Sequence, residues 1–319
     1  VLPQEFPCRL TGDFRSPVLD LVNADGSFGC DLRYQGYEIC DGKYNLKGLP
    51  AVYAAEEEAQ TLIIYMKDQV TGLQVELLYG VLPEYDVITR SAKVINTEED
   101  KIRLTKAQAA CIDFLHGEFD VISFYGRHAM ERNMQRTSVG HGAFVIGSRR
   151  GTSSHQYNPM LILAEKETTE DAGICYGMSF VYSGGFKAEV EKDQFGQTRM
   201  QMGLQEEQFS YPLKKGEEFV IPEVILTCSN QGLEKLSQNL QRCIRKNLCR
   251  GKYKEKVRPV LINSWEACYF DFTGEDIYHL AEQAKDLGID MVVLDDGWFG
   301  SRNDDNSGLG DWKAAGKSW

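Results

Sequence analysis

Two aspartates in succession, Asp295 and Asp296, follow the apolar run Asp290–Leu294, and an indole, Trp265, follows the apolar run Pro259–Asn263. Carboxylates accept bidentate hydrogen bonds from hydroxyl pairs, and an indole covers an apolar C–H face. Brought together, these three side chains suit a sugar. The competing reading is local: Asp295 and Asp296 cap the next turn, which Gly297 permits. Spacing alone leaves both readings open, so the elements around them have to decide.

Between the two runs lies a helical pattern. Thr273 stands three residues before Asp276, in capping-box spacing, and Ile277, Leu280, Ala281, Ala284 and Leu287 recur on one face before Gly288 stops the helix. Strand, helix and strand within so short a span read as a βαβ unit, with parallel strands and a right-handed crossover. Both strands then end on one face, which brings Trp265 near Asp295 and Asp296. Ligands bind at that end of the strands in α/β barrels and open α/β sheets alike.

The chain before this unit has another texture. Thr61–Lys67, Leu73–Val81, Asp86–Ile95, Met160–Glu165, Ile174–Tyr182 and Phe186–Lys192 are rich in Val, Ile, Leu and aromatics and are bounded by turn residues. Leu73, Val75, Leu77 and Tyr79 mark one face of a strand at period two. So many strands predict a large antiparallel sandwich over residues 1–228. From Ser229, a plausible N-cap, Leu233, Leu236, Leu240, Ile244 and Leu248 recur at steps of three and four. They predict an amphipathic linker helix within 229–257, with Arg242, Arg245, Lys246 and Arg250 at its cation-favouring end and Gly251 as its stop. The third segment is then 258–319.

Composition removes whole classes of function. The chain has 319 residues and a net charge of −12, which argues against a nucleic-acid backbone or an anionic membrane as partner. No apolar run approaches the roughly 20 residues that span a bilayer. Nine cysteines, odd in number and scattered without a Cys-x-x-Cys pair, suggest neither a disulfide framework nor a zinc site. No Asn-x-Ser/Thr sequon and no signal peptide are seen, so a reducing, cytoplasmic compartment is expected.

Several familiar motifs are absent: there is no Gly-x-Ser-x-Gly elbow, P-loop or His-Glu-x-x-His. Gly308-Leu-Gly310 begins like a dinucleotide fingerprint, but Lys313 stands where the third glycine belongs. His116, His128, His141 and His279 are isolated, and Ser154 beside His155 is no catalytic pair. Three polar stretches, Thr11–Pro17, Arg149–Pro159 and Asp193–Arg199, read first as hydrogen-bonded loops bracing a sandwich, with ligand contact as the alternative for each.

At Arg258-Pro-Val-Leu-Ile-Asn-Ser-Trp265-Glu266-Ala-Cys-Tyr-Phe and Val293-Leu-Asp295-Asp296-Gly297-Trp298-Phe299 the chain resembles the glycoside hydrolase family 36 α-galactosidases. The Thr-Gly-Asp-Phe-Arg-Ser-Pro, Arg-Arg-Gly-Thr-Ser-Ser-His-Gln and Asp-Gln-Phe-Gly-Gln-Thr-Arg stretches are similar to that family's β-domain motifs, so the likeness spans essentially the whole chain. It implies an N-terminal β-supersandwich, a linker helix and the first βαβ unit of a (β/α)₈ barrel. It also implies that Asp295 and Asp296 bind the 4- and 6-hydroxyls of a terminal galactose and that Trp265 walls the same subsite. Asp13 is implied more weakly, because in tetrameric members the β domain of one subunit reaches toward a neighbour's active site. The substrate implied is a melibiose- or raffinose-type α-1,6-galactoside, and neither cofactor nor metal is expected. Galactosyl transfer and α-N-acetylgalactosaminidase activity use the same scaffold, and a non-catalytic carbohydrate-binding or assembly sandwich is the reading from another class.

Two departures stand out. Asn263 is followed by Ser264 where the family usually has a second Asn. More consequentially, the family's nucleophile and acid/base are aspartates on later barrel strands, the first in a Lys-Trp-Asp-type segment that this sequence lacks. The stretch from Arg258 to Trp319 falls far short of the roughly 250 residues a barrel takes. A retaining mechanism needs two carboxyl groups about 5–5.5 Å apart on either side of the anomeric carbon, a role that adjacent recognition aspartates do not fill. The chain is therefore expected to be the first part of an enzyme, inactive by itself, with no catalytic residue of its own.

Overall fold

The structure, a computed structural model, describes residues 2–97 and 101–314. The chain divides into two compact units, one ending at Cys249 and the other starting at Arg250.

The first unit is built on two antiparallel sheets. Nine strands form the larger, in the order Leu32–Asp41, Gln60–Asp68, Gln74–Leu82, Val87–Ile95, Glu218–Ser229, Cys175–Phe180, Tyr157–Glu165, Phe119–Arg127 and Met130–Ser138. The smaller runs Leu19–Val22, Ile102–Phe114, Thr198–Leu204, Phe186–Lys192 and Gly142–Gly147, with Tyr211–Leu213 also paired to Ile102–Phe114. Each of the six strands expected from the sequence forms, within a few residues of its predicted ends.

Period-two geometry explains where the core lies. Leu73, Val75 and Leu77 enter the main core with Leu104, Phe186, Met200 and Val224. In Tyr157–Glu165 the run of apolar residues does not alternate, because both faces of that strand are covered. Leu161 and Leu163 join the main core, whereas Ile162 and Ala164 lie under Leu233, Leu236 and Leu240 of the helix Gly232–Cys243. The predicted amphipathic helix thus packs onto the back of the large sheet as part of the first unit.

Its ends differ from the expectation. Gln231, not Ser229, occupies the N-cap, and the Ser229 hydroxyl instead accepts the Gln231 N–H at 2.9 Å. Gly232 follows at φ +78°, where any Cβ would collide with the Glu170 carbonyl. The C-terminal end loosens into a π-helical turn over Ile244–Leu248. There the buried Asn247 donates from Nδ2 to the Tyr53 carbonyl at 2.8 Å, and the Tyr53 N–H donates back to the Asn247 carbonyl at 2.8 Å.

Two of the three polar stretches, together with Asp113, form one buried ionic cluster. Arg15 donates to Asp13 from Nε at 3.0 Å and from Nη2 at 2.8 Å, and to Asp113 from Nη2 at 3.0 Å. Arg199 donates to Asp113 from Nε at 2.8 Å and to Asp13 from Nη2 at 2.7 Å, while its Nη1 reaches the Ser16 carbonyl at 3.0 Å. All four side chains are at most 5% exposed. Two Asp against two Arg leave no net charge, which is the condition under which buried ions persist. Burial pushes the Asp13 carboxyl up, but hydrogen bonds from Arg15 and the charge of Arg199 outweigh it and hold the group well below the usual carboxylate range.

Removing one member strands the others. Arg199→Met should destabilise the first unit by about 3–5 kcal/mol at pH 7, read by urea denaturation, and a loss under about 1 kcal/mol would contradict this account. Because the folded Asp13 is depressed, its contribution is present above the unfolded value near pH 4 and is lost as pH falls below that.

Candidate functional site

The second unit holds the strands Leu261–Asn263 and Met291–Val293, which pair in parallel with Leu261 opposite Met291 and Asn263 opposite Val293. The helix Gly274–Asp286 joins them, capped as predicted: Thr273 Oγ accepts the Asp276 N–H, and the Asp276 carboxylate accepts the Thr273 N–H at 2.8 Å. Gly288 follows at φ +76°. The strand–helix–strand unit therefore forms in the parallel sense expected, and both strands end on the same side.

At those ends a small polar network forms. The Asn263 side chain works in two directions: its Oδ1 accepts the Trp265 N–H at 2.8 Å, and its Nδ2 donates to Asp295 Oδ2 at 2.6 Å. Ser264, 2% exposed, accepts the Asp295 N–H on its hydroxyl at 3.2 Å. The serine that departs from the family pattern thus has a defined task. Asp295 Oδ1 in turn accepts the Asp296 N–H at 2.8 Å.

Asp296 is held differently. Arg302 clamps it with a fork, Nε to Oδ1 at 2.6 Å and Nη2 to Oδ2 at 2.8 Å, and the Gly297 N–H adds a bond to Oδ1 at 2.7 Å. The hydrogen bond from Arg302 lowers the Asp296 carboxyl below its ordinary value. Arg302 itself is 5% exposed, lies over the rings of Phe270 and Phe299 at 5.7 and 5.8 Å, and donates from Nη1 to the Ser307 carbonyl. Nothing in the sequence marked it: it stands alone beside Asn303, Asp304 and Asp305, six positions after Asp296.

Trp265 opens the short helix Trp265–Cys268 and is half-buried. Its indole meets Tyr269 and Phe270 edge-on, with ring centroids 5.2 and 4.9 Å away. The structure thus links Trp265, through Asn263, to Asp295 and Asp296. Asp13 belongs to the first unit, in the ionic cluster already described, where both its carboxylate oxygens are taken. Among the described residues no group of three or more His, Cys, Asp or Glu converges as a metal site.

Chemically, the second-unit site is a set of carboxylate acceptors joined through Asn263 to the backbone of an aromatic residue, and among the described residues it brings no nucleophile and base into contact. Carboxylate acceptors of this kind can accept hydrogen bonds from hydroxyls. The profile of the glycosyl hydrolase family 36 N-terminal domain matches residues 1–214, and the melibiase profile matches 218–319, the stretch that carries this site. The chain belongs to glycosyl hydrolase family 36. Within the family it is 62% identical over 98% of its length to the bifunctional alpha-galactosidase/sucrose kinase AgaSK of Mediterraneibacter gnavus, covering 33% of that protein. It is 45% identical to alpha-galactosidase Mel36A of Lactobacillus acidophilus, covering 98% of this chain and 43% of Mel36A. The solved galactosidase domain of AgaSK superposes with a TM-score of 0.95 over 98% of this chain and 44% of that one. A variant of AgaA from Geobacillus stearothermophilus, solved in complex with raffinose, gives 0.95 at 43% identity, again over 98% of this chain and 44% of that one. The chain thus spans between a third and a half of the length of these family 36 relatives.

The role of Ser264 is open to direct measurement. Ser264→Ala removes the acceptor of the Asp295 N–H, so amide hydrogen exchange at Asp295 should accelerate by at least about tenfold, in line with about 1–3 kcal/mol for a buried donor left unpaired. Unchanged protection would show that the contact holds nothing.

Proposed function

We propose that this chain is the N-terminal part of a retaining α-galactosidase that releases terminal α-1,6-linked galactose from melibiose- and raffinose-type oligosaccharides. The observation that carries the reading is the pair of carboxylates that follows one of two parallel strands and is tied through Asn263 to the Trp265 backbone after the other, within the segment that matches melibiase. Asp295 and Asp296 accept the sugar's 4- and 6-hydroxyls, and Trp265 walls the subsite. The names of the relatives, all α-galactosidases, and the raffinose complex of one of them support the substrate class.

In this reading the strand–helix–strand unit of residues 258–319 begins a (β/α)₈ barrel, residues 1–228 are the β-supersandwich, and 229–257 connect the two. The nucleophile and the acid/base lie on later strands, outside this chain. Asp295 and Asp296 do not fill those roles, because neighbours in the chain, already engaged by Asn263, Arg302 and Gly297, cannot flank an anomeric carbon.

The complete protein would act as a homo-oligomer, a tetramer on the family pattern. The Thr11–Pro17 loop would then reach toward a neighbouring subunit's site, with Asp13, whose own acceptor positions are filled by Arg15 and Arg199, holding the loop and not touching the sugar. All nine cysteines are free, which supports a reducing, cytoplasmic setting.

The complete protein is expected to hydrolyse an aryl α-galactoside, and residues 1–319 by themselves to give no turnover. Asp296→Asn should lower kcat/KM by about 10²-fold, the loss of a charged hydrogen bond to substrate together with disturbance of its partners. Undiminished turnover in that variant would remove Asp296 from the subsite.

A further inference from the structure

Asp295 and Asp296 are neighbours of the same chemical type, yet their surroundings are unequal. A carboxylate has about four acceptor positions, two on each oxygen. Asp295 uses two, one on each oxygen, for the Asn263 amide and the Asp296 N–H. Asp296 uses three: Oδ1 accepts both Arg302 Nε and the Gly297 N–H, and Oδ2 accepts Arg302 Nη2. Among the described residues, one acceptor position therefore stays open on each oxygen of Asp295, and a single one on Oδ2 of Asp296.

The donors differ in kind as well. Asp295 is held by neutral groups, whereas Asp296 faces a guanidinium that itself lies near the rings of Phe270 and Phe299 and donates to the Ser307 carbonyl. A fork of two N–H groups fixes the plane of a carboxylate, which a lysine ammonium, a point charge on a flexible stem, does not. Of the other charged groups nearby, Asp305 lies 3.6 Å from Arg302 Nη2 and Asp304 also acts on the guanidinium, so Arg302 is set against several carboxylates.

We propose that Arg302 is a positioning residue of the sugar subsite: it locks Asp296 in one orientation with one acceptor position open, so that Asp295 offers two acceptor positions to the 4- and 6-hydroxyls and Asp296 offers one to the same pair. The inference rests on the carbohydrate reading above and adds a division of labour between the two aspartates. Substrate binding then depends on a residue that touches Asp296 and not the sugar. Because the guanidinium also favours the ionised carboxylate, losing it should make the site sensitive to mild acid.

The test compares Arg302→Lys with Asp296→Asn in the complete protein, using an aryl α-galactoside. Arg302→Lys should raise KM about tenfold or more with kcat changed less than about threefold, and Arg302→Gln, which removes the cation as well as the fork, should also move the acid limb of kcat/KM to higher pH. A merely structural role would lower the amount of active enzyme and leave KM and the pH profile where they were. That result overturns the proposal. If Asp296→Asn itself keeps the unmodified KM, the carbohydrate reading fails. If Asp296→Asn raises KM while Arg302→Lys does not, only the positioning role fails. Should Arg302→Lys not fold, the ¹³C carboxyl shift of Asp296 in the unmodified protein decides: a titration midpoint below the ordinary value near 4 sustains the proposal, and one at or above it overturns it.

Discussion

Parallel strands run in one direction, so the residues that follow them emerge side by side. In the second unit this constraint acts through three residue pairs, Leu261 to Asn263 against Met291 to Val293. From it follow the positions of Asn263, Ser264 and Asp295 relative to one another. Asn263 can bridge the Trp265 N–H and Asp295, and Ser264 can reach the Asp295 N–H, because the first strand ends level with the second. The capped helix Gly274–Asp286 supplies the crossover that makes a parallel pairing possible, and Gly288 lets the chain turn back into the second strand. A slip of one residue would turn Asn263 away from Asp295 and dissolve the network.

The same chemical device recurs in the first unit at a different depth. Arg15 and Arg199 grip Asp13 and Asp113 as Arg302 grips Asp296, with forked or paired N–H donors on a carboxylate. In the first unit the four groups are buried and saturate one another, so the cluster serves to fix a loop. In the second the aspartate is half-buried and keeps one acceptor position, which suits recognition. Exposure and the count of remaining lone pairs separate the two settings, since the residue types are identical.

How much of this was legible in the sequence depended on range. The Thr273–Asp276 box, the helical stripe to Ala284 and the apolar runs on either side are local signals, and they located the strand–helix–strand unit and its Trp265, Asp295 and Asp296. The strands of the sandwich were readable for the same reason. Ser229 misled because a hydroxyl near a helix start can serve the turn before it as well as the helix. The cluster of Asp13, Asp113 and Arg199 could not be read, since its members meet across 86 and 186 positions through sheet pairing. Arg302 was hidden in a short acidic stretch, where a lone arginine looks like surface charge balance. Only its fork onto Asp296 and its place near two phenyl rings give it a role.

The central claim, that Asp295, Asp296 and Trp265 form a galactose subsite, is tested most directly by the crystal structure of the complete protein with galactose bound. The account predicts the 4- and 6-hydroxyl oxygens within about 2.5–3.0 Å of the Asp295 and Asp296 carboxylates, the sugar against Trp265, and Arg302 still on Asp296. Galactose bound elsewhere, with both carboxylates turned to protein donors alone, would contradict it.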